Sequence, residues 1–255
     1  MLVFMRLYAF YLKRTVKDSF TIGYSVVFPI VMILLMGWLR KGSYGQELSS
    51  FSYYTIVLVP FCISFEVTTA AYLGQEEVRK HAAERFLTTP VSTRKLLLAK
   101  FFAGVSAMSI CHGFVYLFAS LVLRVSFHGH GMAMYLMSIA WTGVIYALGL
   151  WLGLGMKNFI VVKNLINLPI MLFAVLGGCF YPFGSTDPLI QKVIQASPLT
   201  WINRSQFLAM YDSKSQLLFM MTIIFVLLCI GIMTLAVIKF RKEAFCNGDM
   251  FSYEK

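Results

Sequence analysis

The sequence predicts an all-α membrane protein with six transmembrane helices, and two observations support this. Of its 255 residues, 59% are hydrophobic and only 13% are charged, and its mean hydropathy is +0.75, which ordinary soluble domains do not reach. Six stretches also approach the roughly 20 apolar residues that a helix needs to cross about 30 Å of hydrocarbon. We place these spans at about 20–39, 51–73, 101–123, 132–156, 160–180 and 216–238. Together they make residues 1–255 a single transmembrane domain.

The distribution of basic residues predicts the orientation of the chain. The net charge is +11, and sixteen of the 22 lysines and arginines fall on one side of a chain that crosses six times. Cytoplasmic loops of membrane proteins are enriched in lysine and arginine. We therefore expect both termini in the cytoplasm, and we attribute the basic surplus to topology and contact with membrane lipid rather than to nucleic-acid binding.

The first 19 residues precede the first span and have a different character. Leu2, Phe4 and Met5 are apolar, whereas the second half of the segment is basic. Such a segment is too short and too charged at its end to cross a bilayer. We expect an amphipathic helix over 1–19 that lies along the cytoplasmic leaflet.

The loop after the second span concentrates charge in an otherwise apolar chain. Over 76–88, Val78 and Phe86 fall on one apolar face, and the opposite face is charged. Pro90 disfavours helical backbone at the residue before it, and Ser92 has the character of an N-cap for the next helix. The pattern predicts a short amphipathic helix, a turn, and a long helix that re-enters the membrane.

Polar residues inside predicted spans are the candidate functional residues. Glu66 lies in the second span, where a carboxylate costs several kcal/mol unless it is paired, hydrated or protonated. A functional role and a role in packing or anchoring both remain open for it. His112 in the third span has no partner that the sequence identifies, and His128 and His130 lie in an external loop. These candidates are predicted at different depths, so we expect neither a catalytic constellation nor a metal site.

The fourth and fifth spans carry further packing and polar signals. Gly149 and Gly153 have the GxxxG spacing that lets another helix approach closely. Asn164 and Asn167 place two amides on one face of the fifth span. No GxxxxGK[ST] motif occurs, so we expect no nucleotide bound by a P-loop of this chain.

The segment 182–211 is semi-apolar but is broken by Pro182, Pro188 and Pro198. A continuous helix is disfavoured by prolines at this spacing. We expect two short outer re-entrant helices before the last span.

Two motifs resemble the permease subunits of ABC-2 type exporters. The first is the charged loop at 77–100, which contains ERFLTTPVS followed by LLLAK. The second is at 177–201 and reads GGCFYPF and then SPLTW. Together with the six spans and the interfacial helix, the resemblance covers essentially the whole chain.

The resemblance implies a coupling helix at 76–88 that docks on a separate ATP-binding subunit. It implies that the partner binds ATP and Mg, whereas this chain holds no cofactor and is not itself an enzyme. It also implies a permease dimer, homomeric or heteromeric, with two ATPase copies. The residues implied in polar contacts are Glu76, Glu77, Arg79, Lys80, Glu84 and Arg85, with Phe86 and Leu87 as apolar anchors.

The resemblance further implies an exporter in the bacterial plasma membrane, with Glu66, Thr69, Asn164 and Asn167 bordering the substrate pathway. Short external loops and few charges favour a hydrophobic or amphipathic substrate, such as a drug, an antimicrobial peptide or a lipid-like molecule. Three alternatives stay open: a secondary transporter driven by an ion gradient, an intramembrane enzyme, and a sensory or immunity protein with the same fold.

Overall fold

The computed structural model describes residues 2–42, 49–79, 92–155, 159–180 and 187–239. All regular structure within these ranges is helical. In chain order the helices are α1 (Leu2–Lys17), α2 (Ser19–Ile22), a π-helical turn (Gly23–Val27), α3 (Phe28–Leu39), α4 (Ser50–Arg79), α5 (Thr93–Leu121), α6 (Gly131–Gly155), α7 (Phe159–Leu176), α8 (Pro188–Ala196), α9 (Pro198–Tyr211) and α10 (Gln216–Lys239).

Five of the described helical stretches are long and apolar enough to cross a membrane. They are Ser19–Leu39, Ser50–Gly74, Arg94–Leu121, Gly131–Gly153 and Gln216–Ile238. The predicted fifth span corresponds to α7, whose apolar part is shorter, at Leu165–Leu176. At 1.5 Å per residue, the 18 residues of α7 reach about 27 Å. The chain is an all-helical integral membrane protein, and the count of six spans stays a prediction.

Helices α4 and α6 form the centre of the bundle and approach each other closely. A Cβ atom at Gly149 would lie 2.5 Å from the Cβ of Ala70 and 2.5 Å from the carbonyl oxygen of Val67. A Cβ atom at Gly153 would overlap the backbone of Ala71. The close approach that the GxxxG spacing predicts is confirmed, because only hydrogen fits between the two backbones.

Helix α1 packs against the first half of α5. The hydroxyl of Tyr8 donates to Oγ of Ser106 over 3.1 Å, and the rings of Phe4 and Phe102 meet edge to face, with centroids 6.5 Å apart. The opposite side of α1 leaves apolar side chains such as Phe10 exposed. This arrangement is compatible with a helix that lies along a membrane surface, although its position there stays a prediction.

Helix α4, which contains the second span, is longer than the predicted span at 51–73. Helix α4 continues without a break through Arg79, so residues 76–79 of the predicted coupling segment extend the second span. Residues 80–88 of that segment lie outside the described residues. Helix α5 begins at Thr93 with Ser92 at the predicted N-cap position, but the Ser92 hydroxyl makes no capping hydrogen bond.

Two short helices, α8 and α9, occupy the described part of the segment 182–211. Asp187 caps α8 by accepting a hydrogen bond from the backbone N–H of Leu189 over 2.9 Å. Helix α8 has no buried residue, whereas α9 buries one face against the bundle. Residues 182–186 lie outside the described residues.

Candidate functional site

A buried acid–base pair joins α4 to α5. Oε1 of Glu66 lies 2.8 Å from Nε2 of His112, and the two side chains are only 1% and 2% exposed. The prediction that these residues lie at different depths and that His112 has no partner is therefore wrong. Side chains lean toward the N-terminus of their own helix, so on antiparallel helices they lean in opposite directions. The contact over 2.8 Å places the ends of the two side chains at the same depth.

Hydrogen bonds extend this pair into α6. Nδ1 of His112 lies 3.3 Å from the hydroxyl of Thr142, which donates to the carbonyl oxygen of Ser138 over 2.8 Å. The Ser138 hydroxyl donates to the carbonyl oxygen of Met134 and lies 2.9 Å from the hydroxyl of Tyr116. A polar network thus runs through the core between three long helices.

Two oxygen atoms near the pair have no hydrogen-bond partner among the described residues. They are Oε2 of Glu66 and the hydroxyl of Tyr146, and both are buried. A buried polar atom without a partner costs about 1–3 kcal/mol. In native proteins, buried polar atoms without a protein partner are commonly satisfied by ordered water or lie at functional sites.

A second polar contact joins α4 to α6 near the pair. The indole N–H of Trp141 lies 3.3 Å from the carbonyl oxygen of Pro60 and 3.2 Å from the hydroxyl of Ser64. The Ser64 hydroxyl itself donates to the Pro60 carbonyl over 2.9 Å. The indole therefore fixes α6 against the part of α4 that contains the proline.

At the end of the bundle that carries the chain's N-terminus, Lys100 connects three helices. Its side chain is 1% exposed, and Nζ donates to the carbonyl oxygens of Leu73 at 3.1 Å and Gly74 at 3.5 Å. The ammonium group also lies 5.4 Å from the centre of the Tyr11 ring, in a cation–π contact. The sequence alone does not identify Lys100 as a buried residue, because hydropathy does not show which lysine is buried.

At the opposite end of the bundle, side chains cap the C-terminus of α7. The final carbonyl groups of a helix have no partner within it. Four side chains donate to carbonyls here: Ser197 to Phe173 at 3.0 Å, Thr200 to Leu176 at 3.4 Å, Asn203 to Gly177 at 2.7 Å and Tyr53 to Gly178 at 2.8 Å. The motif GGCFYPF…SPLTW thus begins directly after the end of α7 and supplies two of the four capping side chains, Ser197 and Thr200.

The loop between α5 and α6 contacts the end of α9. The rings of His128 and Tyr211 lie 5.9 Å apart. Partial burial raises the pKa of Tyr211, and a hydrogen bond with Ser52 opposes this effect. Within the described ranges, no three His, Cys, Asp or Glu side chains are placed to hold a metal ion.

The residues predicted to border the substrate pathway have different environments. Glu66 is buried in its pair, whereas Thr69 and Asn167 are half-buried. Oδ1 of Asn167 is buried and has no hydrogen-bond partner in the part of the chain that is described. Asn164 lies in α7, but its side chain lies outside the described residues. No hydrogen bond between described residues joins Glu66 to Thr69 or Asn167.

The predicted ATPase-coupling residues fall at the edge of the described structure. The backbones of Glu76, Glu77 and Arg79 form the last turn of α4, and nothing is described of their side chains. The other five predicted contacts lie outside the described residues: Lys80, Glu84, Arg85, Phe86 and Leu87.

Membrane-length helices packed around a buried polar network define the chain as a polytopic membrane protein. The family model of the ABC-2 type transporter matches residues 3–211, from α1 to the end of α9, and the chain belongs to this family. Members of the family are membrane components of transporters and generally work with an ABC ATP-binding subunit. No curated protein matches the chain.

Proposed function

We propose that this chain is the permease subunit of an ATP-driven exporter in the bacterial plasma membrane, with both termini in the cytoplasm. Family membership supports a transporter subunit. In this proposal the segment 76–88 is the coupling helix that docks on a separate ATPase. The partner binds ATP and Mg and carries out the hydrolysis.

The continuity of α4 is the observation that carries the proposal. Its 30 residues reach about 45 Å, whereas the hydrocarbon core is about 30 Å thick. The helix therefore extends beyond the membrane at one end, into the segment proposed to contact the ATPase. In this proposal, a displacement of Arg79 also displaces Glu66, because both belong to one rigid helix. Lys100 of α5 couples this movement to α5 and α1, because it contacts both α4 and Tyr11.

The proposed assembly contains two permease chains, identical or different, and two ATPase subunits. Closure of the ATPase dimer around ATP displaces the two coupling helices. Because packed helices have discrete alternative arrangements, this displacement selects a different packing of the permease halves. ATP drives the change because it binds these arrangements with different affinity.

The proposed substrate is hydrophobic or amphipathic. In this proposal the pathway runs beside α4 and α7, with the side chains of Glu66, Thr69, Asn164 and Asn167 along it. The unpaired oxygen of Asn167 supports a polar contact on this face. Most of the remaining surface of α7 is apolar.

Reversing charges in the coupling segment tests the proposal. The chain is purified with its ATPase in nanodiscs, and the double variant Glu84→Arg with Arg85→Glu is compared with Lys192→Glu on the exposed helix α8. Loss of paired charges at an interface costs about 2–5 kcal/mol, so we expect at least roughly tenfold weaker ATPase binding in the double variant. Transport should fall in parallel, and Lys192→Glu should match the wild type.

Other outcomes would identify the alternatives. Unchanged ATPase binding in the double variant contradicts the proposed docking site. Transport that persists without any ATPase and follows an ion gradient indicates a secondary transporter. Hydrolysis of a substrate by the isolated chain indicates an intramembrane enzyme. ATPase binding without measurable transport of any substrate indicates a sensory or immunity role.

A further inference from the structure

The hydrogen bonds around His112 determine which of its nitrogen atoms carries a proton. The hydroxyl hydrogen of Thr142 is used in the bond to the carbonyl oxygen of Ser138. The Thr142 oxygen must therefore accept a hydrogen bond from Nδ1 of His112, which lies 3.3 Å away. Nδ1 is thus protonated, and Nε2 is the nitrogen that faces the carboxyl group of Glu66.

Only one proton fits between Nε2 and Oε1. At 2.8 Å the two atoms form a single hydrogen bond, so one proton is shared between them. The pair then has no net charge, whether the proton resides on the imidazole or on the carboxyl group. Removing this proton would leave a single negative charge in the membrane core, and adding another would leave a positive one. Burial disfavours both charged states.

We propose that Glu66 and His112 form a proton-binding lock between α4 and α5. The closed lock holds one shared proton, and separation of the two helices admits water and frees the proton to leave. The proton site follows from the geometry of this chain, and its use during transport rests on the proposed function. In that use, the displacement of α4 by the coupling segment opens the lock.

The other titratable groups near Glu66 stay largely neutral between pH 5.5 and 7.5. These groups are Tyr24 from the π-helical turn, Cys62 from α4, Cys111 from α5 and Tyr146 from α6. Phenols and thiols in water ionise near pH 10 and pH 8.5. A change in protonation within this pH range therefore reports on the acid–base pair.

The sign of the pH dependence follows from proton counting. An imidazole in water is charged below about pH 6.5 and neutral above it, and a carboxyl group in water is ionised throughout this range. Above pH 6.5, opening the closed pair thus leaves a neutral imidazole and a carboxylate and releases one proton to water. Between about pH 5 and 6.5 the open pair keeps its proton on the imidazole, so none is released. Opening is therefore favoured by rising pH only above about pH 6.5.

The test is thermal unfolding of the full chain in lipid nanodiscs from pH 5.5 to 7.5. For the wild type, we expect the unfolding equilibrium to increase by up to about tenfold per pH unit above pH 6.5, relative to the double variant Glu66→Gln with His112→Gln. The double variant removes both titrating groups and should lose this dependence. Glu66→Gln alone leaves a buried neutral imidazole, so its stability should instead fall with decreasing pH below 6.5.

Two matched controls separate proton binding from packing. Tyr116→Phe removes a hydroxyl from the same polar network, so it should lower stability at every pH and keep the wild-type pH dependence. His130→Asn removes a histidine from the loop outside the pair and should also keep it. An equal pH dependence in the wild type and the double variant would overturn the proposal.

A measurement on the wild type alone keeps the test decisive if the variants do not fold. The chain is unfolded with a strong detergent in weak buffer, and a pH indicator counts the protons exchanged. We expect about one more proton to be released at pH 7.5 than at pH 5.5, beyond the roughly 0.1 proton that each newly exposed thiol releases at pH 7.5. An increase no larger than the thiol contribution would contradict the shared proton. Neither measurement needs the ATPase, so failure here is distinct from failure of the proposed function.

Discussion

The two peripheral membrane helices are more apolar than the two central ones. In a soluble protein, the most apolar helices would instead be the buried ones. The peripheral stretches Ser19–Leu39 and Gln216–Ile238 are the more apolar, yet few of their residues are buried. The central stretches Ser50–Gly74 and Gly131–Gly153 are less apolar and mostly buried. Lipid is as apolar as leucine, so burial between helices gains little from hydrophobicity. Small residues and hydrogen bonds hold the centre together instead.

The largest effect that tests this contrast is expected from Gly153→Val. Its side chain would overlap the backbone of Ala71, which cannot move without separating α4 from α6. Overpacking costs about 1–3 kcal/mol and more where backbone is involved. We expect little folded protein by size-exclusion chromatography in detergent.

The matched control is Gly231→Val in the peripheral helix α10, where an added Cβ atom would have no neighbour within 4 Å. This variant should remain folded at close to the wild-type yield. Equal losses in both variants would show that valine harms any glycine site in these helices, and the contrast between centre and periphery would not hold.

A smaller effect is expected from Lys100→Met at the end of the bundle that carries the chain's N-terminus. The substitution keeps most of the side-chain volume but removes the donor to Leu73 and Gly74 and the cation beside Tyr11. Hydrogen bonds from charged groups contribute about 1.5–3 kcal/mol each. We expect a clear drop in the midpoint of thermal unfolding in nanodiscs, and a change within error for Lys95→Met, whose side chain is exposed on the same helix. A similar midpoint for both variants would assign no role to the buried ammonium group.

The smallest effect is expected from Trp141→Phe, which removes the indole N–H that contacts Pro60 and Ser64 in the centre. A net loss of about 1 kcal/mol follows from one hydrogen bond. Trp38→Phe in α3 is the peripheral counterpart, because Trp38 is 72% exposed whereas Trp141 is 6% exposed. Unfolding of each variant with a strong detergent in mixed micelles measures the two free energies of unfolding. A larger loss for Trp38→Phe would reverse the ranking of the two regions.

Features that depend on one helix were predictable from the sequence. The five membrane-length helices follow from apolar runs, and the start of α5 follows from Ser92, two positions after Pro90 in the sequence. The close contact at Gly149 and Gly153 was also predictable, because GxxxG presents a surface on which another backbone fits. The identity of the partner helix, α4, was not.

Features that depend on which helices meet, and at what height, were not predictable. The contact between Glu66 and His112 links residues 46 positions apart, and its formation depends on the relative height and lean of two helices. Hydropathy shows where an apolar run gives way to charged residues, but a helix can continue past that point. For that reason α4 extends to Arg79, beyond the predicted end of the second span at 73. The burial of Lys100 was missed for the same reason, since the last turns of α4 provide its acceptors.

The separation of Glu66 and His112 along the chain has a consequence for biosynthesis. Glu66 leaves the ribosome 46 residues before His112, and Thr142 follows 30 residues later still. At a synthesis rate of about 5–20 residues per second, His112 is added roughly 2–9 s after Glu66. During that interval α4 carries an unpartnered acid that, in a helix centre, opposes membrane insertion by about 2.5–3.5 kcal/mol when charged. The nascent chain must therefore keep this helix near the translocation channel, or insert it with the acid protonated, until α5 has been made.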